Sequence, residues 1–392
     1  MNKVGQLGQG GPGILTQMVT RPTVADYFED LALSSVKSLH LGATHSCAIL
    51  QDCSLYTWGE ASRGMLGHRK YKPPEDSMPP FASFPAQVHF GGAGVKCVSA
   101  SLGASHTLCV SEEGVIWGMG CNFESQLGLA VGKVEEPFPI QSVKERERSD
   151  LTDADKIKFV EVAASDHFSA AISEDGRVWT WGAGFNGELG LYNATLCEVP
   201  TETHSNLILS LGGAVAVDVG RSFTLVLTRS GNIIVWGQLR PGCGGGPSAH
   251  VLDLPIEAKA IACSNQGAAV SDGTQLWRVS SGTPTTWRVV GGKQQSSGAL
   301  VWPIEEFNKC SHGVKRLAAG GNTFALISES QELWTWGESI GASEAGNVAL
   351  SPRVECRLQG TPVRDIAIGV SHAAVVVQKA NVQDSASALS DS

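Results

Sequence analysis

Few patterns in this chain have the residue types and spacing that chemistry requires. Gly182-Ala183-Gly184-Phe185-Asn186-Gly187 fits G-x-G-x-x-G and follows a strand-like run, the arrangement whose backbone N–H groups cradle a dinucleotide. Such a site also needs a helix opening there and an acidic residue about 20 positions on. Glu188-Leu189-Gly190-Leu191 follows instead, a turn that recurs elsewhere, so no cofactor is expected. His45, His106, His167 and His372 each follow a small-residue turn. General-base or metal chemistry would need convergent partners, whereas these histidines recur in separate copies of one pattern. They read as hydrogen-bonding fixtures of that turn. The ten cysteines include no C-x-x-C and read as buried, reduced thiols, with no metal site expected. Asn193-Ala194-Thr195 is a glycosylation sequon that reads as ordinary loop sequence. No catalytic residue is assigned.

The elements that would position such groups follow from composition. Gly supplies 46 of 392 residues and charged residues 17%, a balance unlike that of a disordered chain. The 42% of hydrophobic residues suffices for a large core. A formal net charge of −9 opposes general phosphate neutralisation, so direct nucleic-acid binding is not expected. No run approaches the ~20 apolar residues of a membrane helix, and no membrane insertion is expected. The N-terminus resembles neither a secretory signal nor a mitochondrial presequence. The expected location is cytoplasmic or nuclear, and organellar only if the true N-terminus lies upstream of Met1.

Seven segments share one grammar: an apolar strand, a tight turn at a small residue, and a second apolar strand. The turn residues are Gly42, Gly103, Ser165, Gly220, Ser264, Gly320 and Gly369. Glu113-Gly114, Asp175-Gly176, Ser230-Gly231 and Asp272-Gly273 then supply the φ > 0 residue of a hairpin. A third strand follows that ends in Trp-Gly, with Trp58, Trp117, Trp181, Trp236 and Trp336 aligned as one repeated position. The fifth copy has Trp277-Arg278 there. Turns such as Ser125-Gln126-Leu127-Gly128 and Gly187-Glu188-Leu189-Gly190 close several copies.

This grammar, above all the string from Val160 to Leu191 with E-D-G-R-V-W-T-W-G and F-N-G-E-L-G-L, resembles the repeat of the regulator of chromosome condensation family. The resemblance spans nearly the whole chain. It implies an all-β fold, a seven-bladed β-propeller. It also implies protein partners and, as in the founding member, nucleotide exchange on a Ran-like small GTPase, which needs no catalytic side chain on the factor. Asp166 stands at a position matching an acidic contact of that exchange factor, whereas Ala104 replaces another, and no basic N-terminal tail is present. The G-W-R-H-T motif of plant ultraviolet-B receptors is missing, so photoreception is not expected.

The last copy stops near Gln378 without a Trp-Gly strand, while Asn2–Gly10 resembles the tail of a repeat. Residues 1–24 are therefore expected to complete the last blade and close the ring. One strand remains unaccounted for: either Met1 lies inside a longer product or this blade has three strands. Residues 1–378 read as a single propeller and 379–392 as a short, disordered, acidic Ser-rich tail.

Strand alternation places the Gly42-type turns and the loops after Trp-Gly on one face. Hairpin turns and blade crossovers occupy the other. Loops on a rigid scaffold are where binding concentrates. The candidate partner contacts are Asp166, with Arg69, Lys70 and Lys72 in one long loop and Lys144, Arg146 and Arg148 in a crossover. The expected role is a non-catalytic protein-interaction scaffold, a monomeric propeller within a complex. The alternative is a guanine nucleotide exchange factor or regulator of a small GTPase.

Overall fold

A computed structural model describes residues 6–7, 36–68, 81–91, 94–129, 132–140, 156–239, 246–265, 267–281, 293–294, 299–308, 313–338, 348–354, 358 and 360–377. Each repeat folds into one antiparallel sheet running from an inner to an outer strand. The first blade holds β1 (Val36–Leu41), β2 (His45–Leu50), β3 (Leu55–Glu60) and β4 (Phe81–Gln87). The second holds β5 (Cys97–Leu102), β6 (His106–Ser111), β7 (Ile116–Cys121) and β8 (Lys133–Pro139). The third holds β9 (Phe159–Ala164), β10 (Phe168–Ser173), β11 (Val178–Ala183) and β12 (Leu196–Thr203). The fourth holds β13 (Ala214–Val219), β14 (Phe223–Thr228), β15 (Ile233–Gly237) and β16 (Gly246–Val251). The fifth holds β17 (Ala260–Ser264), β18 (Gly267–Ser271), β19 (Leu276–Ser281), β20 (Lys293–Gln294) and β21 (Ala299–Pro303), and the sixth β22 (Val314–Gly320), β23 (Thr323–Ser328), β24 (Leu333–Glu338) and β25 (Val348–Val354). A last sheet contains only β26 (Val363–Ile368) and β27 (Ala373–Val377).

The expected seven full blades are therefore corrected to six, with a two-stranded sheet beside them among the described residues. Among the described residues the last copy's two apolar strands, β26 and β27, pair only with each other. Of residues 1–24, expected to complete that blade, only Gln6 and Leu7 are described, and the tail 379–392 lies outside the described residues.

The core lies between blades. Middle strands such as β2, β6, β10 and β14 are buried along their whole length, because sheets cover both their faces. This is why their sequences run continuously apolar rather than alternating. Ile49 and Leu55 of the first blade, for example, pack with Leu102 and Cys109 of the second.

Two sets of backbone contacts set neighbouring blades on each other. On the crossover face, the first buried residue of an inner strand donates its N–H to the preceding hairpin: Phe159 to Gly114, Ala214 to Gly176 and Ala258 to Gly231. On the other face the small turn residues abut. A Cβ on Gly42 would lie 2.6 Å from the Gly103 carbonyl oxygen, one on Gly103 2.2 Å from that of Ser165, and one on Gly369 2.4 Å from that of Gly42. The last contact joins the final sheet to the first. There, too, the Leu39 N–H donates to Asp365 Oδ2 at 2.9 Å.

Register corrects the alignment of two third strands. Gly59, Gly182 and Gly237 face His45, Phe168 and Phe223, and in the second blade Gly120 takes that place opposite His106. The residue before it, Met119, is thus the counterpart of Trp58. Trp117 lies two residues earlier, at the position of Tyr56 and Trp179. In the fifth blade Val279-Ser280, not Trp277-Arg278, fills the Trp-Gly place, since Ser280 faces Gly267. The glycine is required where it occurs: Gly120 has φ +112°, and a Cβ there would lie 2.6 Å from the Ser105 carbonyl oxygen.

Candidate functional site

The repeated histidines are structural fixtures. His45, His106 and His372 begin the second strand of their sheets or lie next to it, and each reaches the next blade's middle strand. Their Nε2 atoms lie 2.8 Å from Thr107 Oγ1, 3.0 Å from Ser169 Oγ and 2.9 Å from Ser46 Oγ, respectively. Those hydroxyls donate to the carbonyls of Met65, Gln126 and Gln6 at 2.8, 2.7 and 2.8 Å. A hydroxyl has one proton, so each accepts from the imidazole, which fixes the Nε2–H tautomer. Burial lowers all three histidines to a pKa of about 3, so they are neutral at physiological pH. Two of these loop carbonyls also hold tryptophans, Trp58 donating to Gln6 at 3.0 Å and Trp181 to Gln126 at 2.8 Å, and Trp236 donates likewise to Glu188 at 2.8 Å.

His167 does not share that position. Phe168 aligns with His45 and His106, as Phe223 does in the fourth blade, and His167 falls one residue earlier on the turn face. Its ring is half-exposed and contacts the Glu124 carboxylate. The turn keeps its length, since the Ser165 N–H donates to the Phe168 carbonyl as that of Gly42 does to His45 and that of Gly103 to His106; the histidine has moved one residue earlier within it.

The inner strands surround a central cavity of about 240 Å³. Their edges have no neighbouring strand, and channel-facing side chains satisfy the N–H groups instead. Ser101 accepts from Ala164 at 3.0 Å and Asp218 from Cys263 at 2.6 Å. Arg316 Nε lies 2.8 Å from Asp365 Oδ1. Burial raises Asp218 to a pKa of about 6; burial and the Asp218 charge raise Glu161 to about 7. Burial and then Arg316 lower His40 to about 4. Among the described residues no group of three His, Cys, Asp or Glu side chains is arranged to hold a metal. The described cysteines are all free, and only Cys197 is more than slightly exposed.

The exposed chemistry lies on the turn face of the second to fourth blades. Asp166 Oδ2 is 3.6 Å from Arg221 Nε. The Glu124–His167 contact sits beside it on the neighbouring loop. Phe123 and Phe185, each 74% exposed, occupy equivalent positions three residues past Gly120 and Gly182. Asp166 is thus where the sequence placed it. Phe123, Phe185, Glu124 and Arg221 were missed, although the repeated G-x-x-F spacing was a readable signal. Gly42, Gly103, Gly220, Gly320 and Gly369 stand at the inner turns, and Trp58, Trp181, Trp236 and Trp336 are buried at the position assigned to them. Arg69, Lys70, Lys72, Lys144, Arg146 and Arg148 lie outside the described residues.

Comparison with known proteins agrees with this geometry. Models of the regulator of chromosome condensation (RCC1) repeat match residues 52–110, 159–188 and 175–227. The human E3 ubiquitin-protein ligase HERC2 is 26% identical over 235 residues, covering 60% of this chain and 4% of HERC2. The mitochondrial RCC1 domain-containing protein RUG3 of Arabidopsis thaliana is 28% identical over 258 residues, 65% of this chain and 54% of RUG3. This chain thus spans a small part of the first relative and about half of the second. Among solved structures, Prp20p of Saccharomyces cerevisiae superposes with a TM-score of 0.75 at 16% identity, over 99% of this chain and 92% of that one. Human WBSCR16 does so with 0.71 at 18% identity, over 88% of each. At these identities the structures speak for the fold, an all-β propeller. Together with the blade grammar, these matches show that this chain carries RCC1 repeats, as its RCC1-domain relatives do.

Proposed function

We propose that this protein is a non-catalytic interaction scaffold that receives a protein partner on the turn face of its second to fourth blades. One observation carries the reading: Phe123 and Phe185 are exposed at equivalent positions of adjacent blades, on the face that carries the Glu124–His167 and Asp166–Arg221 pairs. Exposed aromatic anchors beside charged groups are the usual composition of a protein contact. The buried histidines, by contrast, are committed to bonds between blades. The propeller acts as a monomer within a complex, in the cytoplasm or nucleus. Affinity purification of the wild type and of Asp166→Lys tests this. The variant is expected to lose the partner while keeping its fold; an unchanged partner set counts against the assignment.

A second reading, exchange or regulation of a small GTPase, is favoured by Asp166 at the channel mouth and by the likeness to Prp20p, whose structure was described with its binding to Gsp1p and histones. An exchange factor acts by binding the nucleotide-free GTPase more tightly than the loaded one. Release of a fluorescent guanine nucleotide from a candidate GTPase, accelerated by the wild type and not by Asp166→Lys, is the result this reading requires.

A further inference from the structure

The opposite face carries a second pattern. In six sheets the residue after the first buried inner-strand position is bulged out of the ladder: Lys37, Val98, Val160, Val215, Lys315 and Arg364. Lys259, directly after Ala258, has the same place in the fifth blade. A bulge re-aims its side chain away from the sheet. The six bulges and Lys259 stand at the crossover-side ends of the inner strands, which surround the channel, and so ring its mouth on that face. The four cations occupy consecutive blades, fifth, sixth, last and first, and all four are exposed. The three valines fill the remaining arc, with Val160 and Val215 exposed by 48% and 44%.

We infer that this mouth is a docking site for a protein segment bearing carboxylates on one side and apolar side chains on the other. The inference goes beyond the turn-face contact and is independent of it. The four cations are concentrated on one arc in a chain of net charge −9. Lys37 reaches only the Cys53 sulfur, at 3.9 Å, and Lys259 acts on the nearby Asp272 carboxyl, which its charge helps to hold below the usual range. The same face carries exposed hairpin carboxylates at Asp52, Glu113, Glu174 and Glu329, of which Asp52 and Glu329 belong to blades of the arc and stand farther out along their sheets. They would repel an extended polyanion lying across the disc, such as a nucleic acid or an anionic bilayer, and leave room for a compact segment at the mouth. Charge complementarity there selects the partner, and the valines accept its apolar side.

Fluorescence anisotropy with a fluorescein-labelled Glu-Leu copolymer peptide tests the site on the full chain. Lys315→Glu/Arg364→Glu is expected to weaken binding about tenfold or more. Val160→Ser/Val215→Ser should weaken it less. Arg353→Glu on the outer rim should leave it unchanged, and thermal melts confirm that each variant is folded. No binding by the wild type, undiminished binding by the double reversal, or tighter binding of a labelled single-stranded oligonucleotide than of the peptide overturns the proposal.

Discussion

His106 and Ser169 meet across the boundary between the second and third blades, with Nε2 3.0 Å from the hydroxyl oxygen. The Ser169 hydroxyl in turn donates a hydrogen bond to the Gln126 carbonyl, which also accepts from the Trp181 indole N–H. One loop carbonyl therefore ties a histidine-bearing blade to the next blade's second and third strands. The same pattern recurs at Gln6, where it ties the last sheet to the first.

His106→Ala should destabilise the protein by about 2–3 kcal/mol, through a cavity and a lost buried hydrogen bond. His106→Phe should cost less, because Phe168 and Phe223 fill this position in the next two blades. Urea unfolding midpoints distinguish the two, and equal losses would contradict a position defined by shape.

Gly120→Ala should cost about 3 kcal/mol, since the residue would be held at positive φ with its Cβ against the Ser105 carbonyl. Gly118→Ala should cost less. Its φ is not left-handed, and the crowding atoms are the ends of Ile140, Leu127 and Leu108 side chains. The reverse order would restore the Trp117-Gly118 alignment expected from sequence.

Trp58→Phe and Trp181→Phe should each cost about 1–2 kcal/mol, as each removes one buried indole bond to a loop carbonyl. Deleting residues 1–7 removes the carbonyl that accepts from both Trp58 and Ser46, and leaves the acceptor of Trp181 in place. A double-mutant cycle should give a coupling of about 1 kcal/mol between this deletion and Trp58→Phe, and none with Trp181→Phe.

Stability should rise as pH rises from 5 to 7. His45, His106 and His372 have folded pKa values of about 3 and His40 of about 4, below that of a free imidazole, so in this window the unfolded state binds more protons at these four sites. Asp218 and Glu161, with folded values of about 6 and 7, oppose this at only two sites. The slope of unfolding free energy against pH is then positive. Asp218→Asn should steepen this dependence and also lower Glu161 toward its ordinary range. A melting temperature that falls with pH in the wild type over this window would refute the assignment.

The blade grammar was legible because each repeat must build the same buried sheet. Glycines at the turns and tryptophans two apart repeat for packing reasons that any copy shows. Register was less legible. Met119 occupies a tryptophan site and Phe168 a histidine site, since only size and burial are demanded there; matching by residue name therefore moved Trp117 and His167 out of place. Asp166 was readable from its turn. Its partner Arg221 belongs to a different repeat and becomes its neighbour only through the ring. The bulged position was hidden for the same reason: its lysines and valines look unrelated until the inner strands are set side by side.

The most direct test of the central claim is site-specific photocrosslinking in cells, with p-benzoylphenylalanine in place of Phe123 or Phe185 and of Phe84 on the outer rim. The turn-face probes should both capture the same protein, capture should be lost with Asp166→Lys, and the rim probe should not yield it. Capture from Phe84 alone, or capture at Phe123 and Phe185 that ignores Asp166→Lys, would contradict a partner site on this face.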